Sequence, residues 1–197
     1  MKLVLQSLRE EITRRRALWI TPFAFAGLVA VWSRRSQDTT AANDSAGDVT
    51  IVQFNDAGEK LETARVKKVV HSDVEWRKLL NSEQYYVTRH GSTDMAFTGT
   101  YYQIHEPGLF RCSCCANALF SSEAKFDSGT GWPSFWAPIA EQNVRKRSDT
   151  SLLMQRIEVL CTRCDAHLGH VFDDGPPPTN LRYCINESSL SFIPRKA

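Results

Sequence analysis

Hydrophobic and polar positions follow three rhythms along the chain. From Ala17 to Trp32 the residues (ALWITPFAFAGLVAVW) carry no charge, and arginines bracket the run at Arg14-Arg15-Arg16 and Arg34-Arg35. From Gln37 to Gly47 the chain is small and polar (QDTTAANDSAG), a composition that reads as a flexible tether. Val49 to Phe54 alternates weakly and is a candidate short strand. Beyond about Val66 the pattern becomes that of a folded domain. Ser72-Asp-Val-Glu75 has the spacing of a capping box, in which each of the two side chains accepts from the other residue's backbone N–H. It predicts a helix from Asp73 to Leu80 with Trp76, Leu79 and Leu80 on one face. After this point helix signals fade. Tyr85–Arg89, Gly99–Gln103, Leu109–Arg111 and Arg156–Leu160 are short and rich in aromatic or β-branched residues, with Gly, Pro, Asp and Asn between them. They predict strands, and so a mainly β domain with a short N-terminal helix. Pro176-Pro177-Pro178 marks a rigid loop.

A helix that crosses a bilayer needs about 20 apolar residues, so the N-terminal run is short for a span. It fits the apolar region of a signal peptide, or a marginal membrane anchor. Thr13-Arg-Arg-Arg-Ala-Leu18 resembles a twin-arginine export signal, an address read by a receptor. A buried helix of the main fold is the competing reading. It is the weaker one, because the run is apolar around its whole circumference. Thr40-Ala41-Ala42 offers only a weak cleavage site, so a retained anchor stays open. The expected organisation is a signal peptide or membrane anchor over residues 1–36, a flexible linker over 37–65 and a folded domain over 66–197. The expected location is exported or membrane-anchored, facing a bacterial periplasm, with a soluble cytoplasmic domain as the lesser alternative.

Composition narrows the class. With 197 residues the chain holds one globular domain and something extra. A hydrophobic fraction of 42% excludes disorder throughout and a polytopic membrane protein. A formal net charge of +2 removes the electrostatic case for nucleic acid as the main partner. The six cysteines all lie between Cys112 and Cys184. Three disulfides, a metal site or a reactive thiol would each account for an even count.

Spacing divides them. Cys112-Ser-Cys-Cys115 and Cys161-Thr-Arg-Cys164 are two CxxC knuckles, and two knuckles complete a tetrahedron of thiolates, the usual closed site for structural zinc. A redox-active CxxC normally occurs once and beside a βαβ pattern, and neither holds here. Disulfides across the knuckles remain an alternative for an exported chain. Cys184 sits in Leu181-Arg-Tyr-Cys-Ile-Asn186, where strand alternation sets Arg182, Cys184 and Asn186 on one face. An arginine there favours thiolate and an amide offers a donor, whereas an inert buried cysteine is the plain alternative. His167-Leu-Gly-His170 supplies either satisfied core imidazoles or a general acid and base near neutral pH. His71, His90 and His105 lack such a context and read as surface residues. Trp132, on the glycine-flanked turn Gly129–Phe135, is either core packing or an apolar wall at a pocket mouth.

Taken together, these segments resemble the B-type methionine sulfoxide reductases, the family specific for the R epimer. The resemblance spans about residues 70 to 194. It runs through Tyr85-Tyr-Val-Thr-Arg89, Phe97-Thr-Gly-Thr-Tyr101, Cys112-x-x-Cys115, Lys125-Phe-Asp-Ser-Gly129 and Gly131-Trp-Pro-Ser-Phe135. It continues through Arg156-Ile-Glu-Val, Cys161-x-x-Cys164, His167-Leu-Gly-His-Val-Phe172, Asp174-Gly-Pro and Arg182-Tyr-Cys-Ile-Asn186. It implies two antiparallel β-sheets with one structural zinc ion on Cys112, Cys115, Cys161 and Cys164. It implies Cys184 as nucleophile, with His167, His170 and Asn186 around the sulfoxide. Trp132 would pack on its methyl group and Arg182 would lie beside the nucleophile. The implied reaction is thiol-dependent reduction of methionine-R-sulfoxide, free or in proteins, through a cysteine sulfenic acid. Many family members carry a resolving cysteine where this chain has Thr130, so an external thiol such as thioredoxin is the expected reductant, with Cys114 the only spare thiol. Asn180 stands where the family usually has glycine, and asparagine tolerates a left-handed backbone. Asp94 replaces a usual glutamate, and Glu187 a usual serine. A non-catalytic zinc-stabilised β module would also need the knuckles. The Arg-x-Cys-x-Asn strand is what such a module would have no reason to carry.

Overall fold

The computed structural model describes residues 47–151 and 155–195. The apolar run at 17–32 and the residues on either side of it lie outside that range. Among the described residues no helix is long and apolar enough to cross a membrane.

Eleven short strands form three antiparallel sheets among the described residues. They are β1 (Asp48–Phe54), β2 (Lys60–Lys67), β3 (Gly108–Cys112), β4 (Ala118–Ser121), β5 (Lys125–Phe126) and β6 (Ser134–Phe135). They continue as β7 (Val144–Asp149), β8 (Arg156–Cys161), β9 (His167–Phe172), β10 (Arg182–Ile185) and β11 (Leu190–Pro194). The large sheet runs in the order β5-β6-β10-β9-β8-β7, the small one β11-β3-β4, and β1-β2 is a separate hairpin. The expected mainly β architecture is present, including the strands at Val49–Phe54, Leu109–Arg111 and Arg156–Leu160.

The core is the aromatic layer between the two sheets. Phe110 on β3, Phe120 on β4, Phe135 on β6 and Tyr183 on β10 are each fully buried. Phe120 stacks on Phe135 with centroids 4.4 Å apart, and Phe110 meets Phe135 edge-on at 5.0 Å. One ring from each of four strands thus fixes how the sheets face each other. Such pairs add to the large apolar area each ring removes from water.

Two helices precede the sheets. α1 (Asp73–Leu79) starts with the capping box expected of Ser72 and Glu75. Trp76 and Leu80 are buried as expected, but Leu79 is 61% exposed. Leu80 is already extended, so the helix ends before a third apolar position reaches the core.

Tyr85–Arg89 is not a strand: it lies in α2 (Ser82–His90). A second capping box, Asn81 with Gln84, starts this helix, and Gly91 ends it with a left-handed φ of 68°. Those local signals overrode the β preference of its aromatic residues. Gly99–Gln103 forms turns, not a strand. Its backbone is held by Glu187, whose carboxylate accepts from Tyr101 N–H at 2.7 Å and Thr100 Oγ1 at 3.2 Å. The linker expected over 37–65 is also corrected: from Asp48 onward the chain is the β1–β2 hairpin, with Ile51 and Val52 buried.

The aromatic layer yields a direct test. Phe135→Ala should destabilise the domain by about 3–5 kcal/mol, the range for deleting a fully buried aromatic ring. Urea unfolding followed by tryptophan fluorescence measures it, and a loss below about 1 kcal/mol would contradict the assigned core.

Candidate functional site: a four-cysteine cluster and the cleft of Cys184

The two CxxC motifs fold as matched turns. In the first, Ala116 N–H donates to Cys112 O at 2.9 Å, and Ala116 takes a left-handed φ of 58°. In the second, Asp165 N–H donates to Cys161 O at 2.9 Å, with Asp165 at φ 57°. Each turn points two sulfurs the same way, and the four Sγ atoms lie within 4.8 Å of one another. Cys112 to Cys164 and Cys115 to Cys161 are each 3.6 Å. Thiolates about 2.3 Å from a tetrahedral zinc ion would sit about 3.8 Å apart, so the donor set fits that ion. Asn117 Nδ2 donates to Cys161 Sγ at 3.7 Å, and Arg89 Nη1 and Arg163 Nη1 donate to the carbonyls of Cys164 and Cys115. Cys112, Cys161 and Cys164 are buried, so the set is closed and suits a structural role. Cys114 borders this cluster and does not line the cavity around Cys184.

Cys184 lies in β10, opposite Ser134 of β6 on one side and His170 of β9 on the other. Tyr183 and Ile185 are fully buried, so alternation turns Arg182 and Cys184 to the other face, as expected. β9 and β10 come very close at Gly169: a Cβ built there would lie 2.1 Å from the Cys184 carbonyl oxygen, and φ is 153°. Only glycine meets both conditions.

Beside the thiol is a cavity of about 150 Å³ lined by Cys184, Trp132, His170 and Asn186, together with Thr93, Arg156 and Phe172. His170 Nε2 donates to Asp149 Oδ2 at 2.8 Å, and Arg156 Nη2 donates to the same oxygen at 2.7 Å. Hydrogen bonds from Ser151, and then from His170 and Arg156, hold the Asp149 carboxyl well below the usual carboxylate range. Burial pushes the His170 imidazole below its ordinary value, with Asp149 opposing that shift. His167 lies one cavity over, its Nδ1 donating to Glu158 Oε1 at 2.7 Å, and the two imidazole centroids are 5.5 Å apart.

Two expected neighbours of the thiol are otherwise engaged. Arg182 makes two 2.8 Å hydrogen bonds to Asp174 and stacks 4.4 Å above Phe172, and it does not line the cavity. Burial accordingly outweighs Arg182 and pushes the Cys184 thiol up, away from the thiolate expected of an arginine neighbour. The Asn186 amide lines the cavity, but its nitrogen donates to Leu168 O at 3.2 Å and its oxygen accepts from Asp94 N–H at 3.0 Å. Asn186 therefore fastens the loop that carries Asp94, whose carbonyl accepts from Trp132 Nε1 at 3.0 Å. Thr130 Oγ1 is 4.0 Å from Cys184 Sγ and heads a chain of hydroxyls through Ser128 to Ser134, each step 2.8 Å.

A family model described as the SelR domain matches residues 80–194. The peptide methionine sulfoxide reductase MsrB of Herminiimonas arsenicoxydans is 54% identical over 126 residues, 64% of this chain and 92% of that protein. That of Thiobacillus denitrificans is 57% identical over 124 residues, 63% of this chain and 94% of that protein. The chloroplastic peptide methionine sulfoxide reductase B1 of Oryza sativa is 58% identical over 120 residues, 60% of this chain and 56% of that protein. The chain belongs to the MsrB family.

Within this MsrB domain the structure brings Cys184, Trp132, His170 and Asn186 to one cavity, sets His167 next to it and keeps Arg182 outside. Asp149, Glu158, Arg156, Thr93 and Phe172 were not foreseen. Arg156 and Glu158 carried a signal: they are charged, share one face of a strand, and Glu158 stands opposite His170 in register. β10 stops at Ile185, and Glu187 lies in the turn beyond it.

Alkylation of Cys184 by iodoacetamide should therefore show a pH midpoint above the value of about 8.5 for a free cysteine. Arg182→Ala should move it higher, because the guanidinium favours thiolate. A wild-type midpoint below about 7, as in thiolate-poised sites, would contradict this assignment.

Proposed function

We propose that this MsrB-family reductase reduces methionine-R-sulfoxide, in proteins or free, with Cys184 as nucleophile and an external thiol as electron donor. The observation that carries the reading is the single cavity shared by a half-buried thiol, an aromatic wall and a carboxylate-held imidazole. The Trp132 ring suits the sulfoxide methyl group, and the polar side at His170 and Asn186 suits its oxygen. Placing those two substituents in unlike subsites is what discriminates epimers.

The proton balance follows from the raised thiol. Cys184 enters as S–H. Its sulfur attacks the sulfoxide sulfur as the proton passes to a neutral imidazole, His170 or His167, and from there to the sulfoxide oxygen. The protonated oxygen then passes from the substrate sulfur to the Cys184 sulfur: the substrate S–O bond and the transient S–S bond break, a Cys184 S–O bond forms, Cys184 is left as sulfenic acid, and methionine departs reduced. One external thiol then displaces water from the sulfenic acid to give a mixed disulfide. A second releases Cys184 as thiol and leaves as the oxidised disulfide. Thr130, its Oγ1 4.0 Å from Cys184 Sγ, has no thiol to offer, which supports an external donor of the thioredoxin kind. Zinc on the four cysteines would supply folding energy and take no part in these steps.

The separated R and S epimers with dithiothreitol test this reading. Turnover of R alone, its loss in Cys184→Ser, and a dimedone-trapped Cys184 after one turnover are the expected results. Unchanged turnover in Cys184→Ser, or a rapid Cys114–Cys184 disulfide, would overturn it. The rate should also fall in acid as His170 gains a proton, with its limb below the ordinary histidine value of about 6.5.

We also propose that the arginine-flanked run at the N-terminus directs export or anchoring, with the zinc-loaded domain crossing folded. Fractionation of the full-length protein should find it outside the cytoplasm, and replacement of Arg14-Arg15-Arg16 by lysines should retain it inside. A cytoplasmic wild-type protein would contradict the proposal.

A further inference from the structure

The β1–β2 hairpin lies outside the residues that the family model matches. The family model matches residues 80–194, and the hairpin, Asp48–Lys67, precedes that stretch. Yet the hairpin and the segment after it are bonded to the two cysteine turns at four places. Asn143, fully buried, turns its carboxamide to β1: its Oδ1 accepts from Val52 N–H at 2.8 Å, and its Nδ2 donates to Val52 O at 2.8 Å and to Ala118 O at 2.7 Å. The Asn143 carbonyl in turn accepts from Asn117 Nδ2 at 3.1 Å, and the same Nδ2 donates to Cys161 Sγ. Arg111 ties the first turn to the hairpin, giving one N–H to Ala116 O at 3.1 Å and others to Phe54 O at 2.8 Å and Asp56 at 2.9 Å. Past the hairpin, Val69 N–H donates at 2.7 Å to the carbonyl of Arg163, inside the second turn, and Lys68 pairs with Asp165 at its end.

We propose that the hairpin and its tail are an outer shell of the metal site, which holds both cysteine turns closed and slows loss of the ion. The inference rests on the reading of the four cysteines as a zinc site. Residues that orient metal ligands from behind typically change metal affinity 10–100-fold when removed. Here a continuous path runs from Val52 through Asn143 and Asn117 to a ligand sulfur, and a second runs from Val69 to the backbone between Cys161 and Cys164. A ligand exchanges for a chelator only when its turn opens, and both turns are bonded to a strand that must detach first.

The test is zinc transfer from the full-length protein to a chromogenic chelator in excess, timed by absorbance. Two variants cut the paths without touching the cysteines or the Cys184 cleft. Val52→Pro removes the N–H that Asn143 accepts, and Val69→Pro removes the N–H that donates to Arg163 O. Each should release zinc at least about 10-fold faster than wild type. Hydrogen exchange should show the β1–β2 amides unprotected in Val52→Pro. If that variant does not fold, Val69→Pro, in the segment past β2 that belongs to no strand, decides the matter. Unchanged release while the hairpin amides exchange freely would overturn the proposal and leave the zinc site standing. A wild-type protein purified without zinc would overturn both.

Discussion

The close approach of β9 and β10 at Gly169 is the constraint on which the cleft depends. Two strands can lie this close only where one residue has no side chain and accepts a positive φ. That contact sets Cys184 opposite His170 and Ile185 opposite Gly169. The other face of β10 leaves no freedom either, because Tyr183 and Ile185 are sealed in the aromatic layer. A slip of one residue would send the thiol into the core and a tyrosine into the cleft. The active register is therefore held from both faces, by backbone proximity on one and by packing on the other.

Electrostatics follow from that placement. Partial burial of the thiol opposes its ionisation, and the arginine two residues away is bound to Asp174 and only partly offsets the effect. The cleft stores its proton on sulfur, next to imidazoles that burial and carboxylates keep oriented. Each imidazole has one nitrogen committed to a carboxylate, so its free nitrogen is defined, and proton transfer needs no reorientation of the ring. In the proposed reaction, charge separation arises only as the S–O bond breaks, inside a small cavity bounded by Trp132 and Phe172.

Much of this was legible in the residues. The knuckles announced the metal cluster, because two short spacings leave little choice of geometry. Alternation alone placed Arg182 and Cys184 on one face, and Asn180 does adopt the left-handed backbone expected of it, at φ 57°. Helix α2 was missed because its aromatic residues have β character, while the signals that mattered, Asn81, Gln84 and Gly91, sit at its ends. The hydrogen-bond partners of Arg182 and Asn186 were not legible, for a different reason. Spacing shows which residues share a face, but not that a distant Asp174 or Asp94 already occupies their hydrogen-bonding groups. The hairpin was half-seen, as one weak strand in a presumed tether. Its stability comes from Asn143, some ninety residues away in sequence, which no local pattern reveals.

The β9–β10 approach at Gly169 fixes where Cys184 stands against His170. Gly169→Ala tests it most directly, since the added methyl must move the Cys184 backbone. Displacements of about 1 Å can cost on the order of 100-fold in rate. A loss of that order in kcat/KM for methionine-R-sulfoxide is the expected result, with zinc content and a cooperative melt preserved. Wild-type kcat/KM in Gly169→Ala would contradict it.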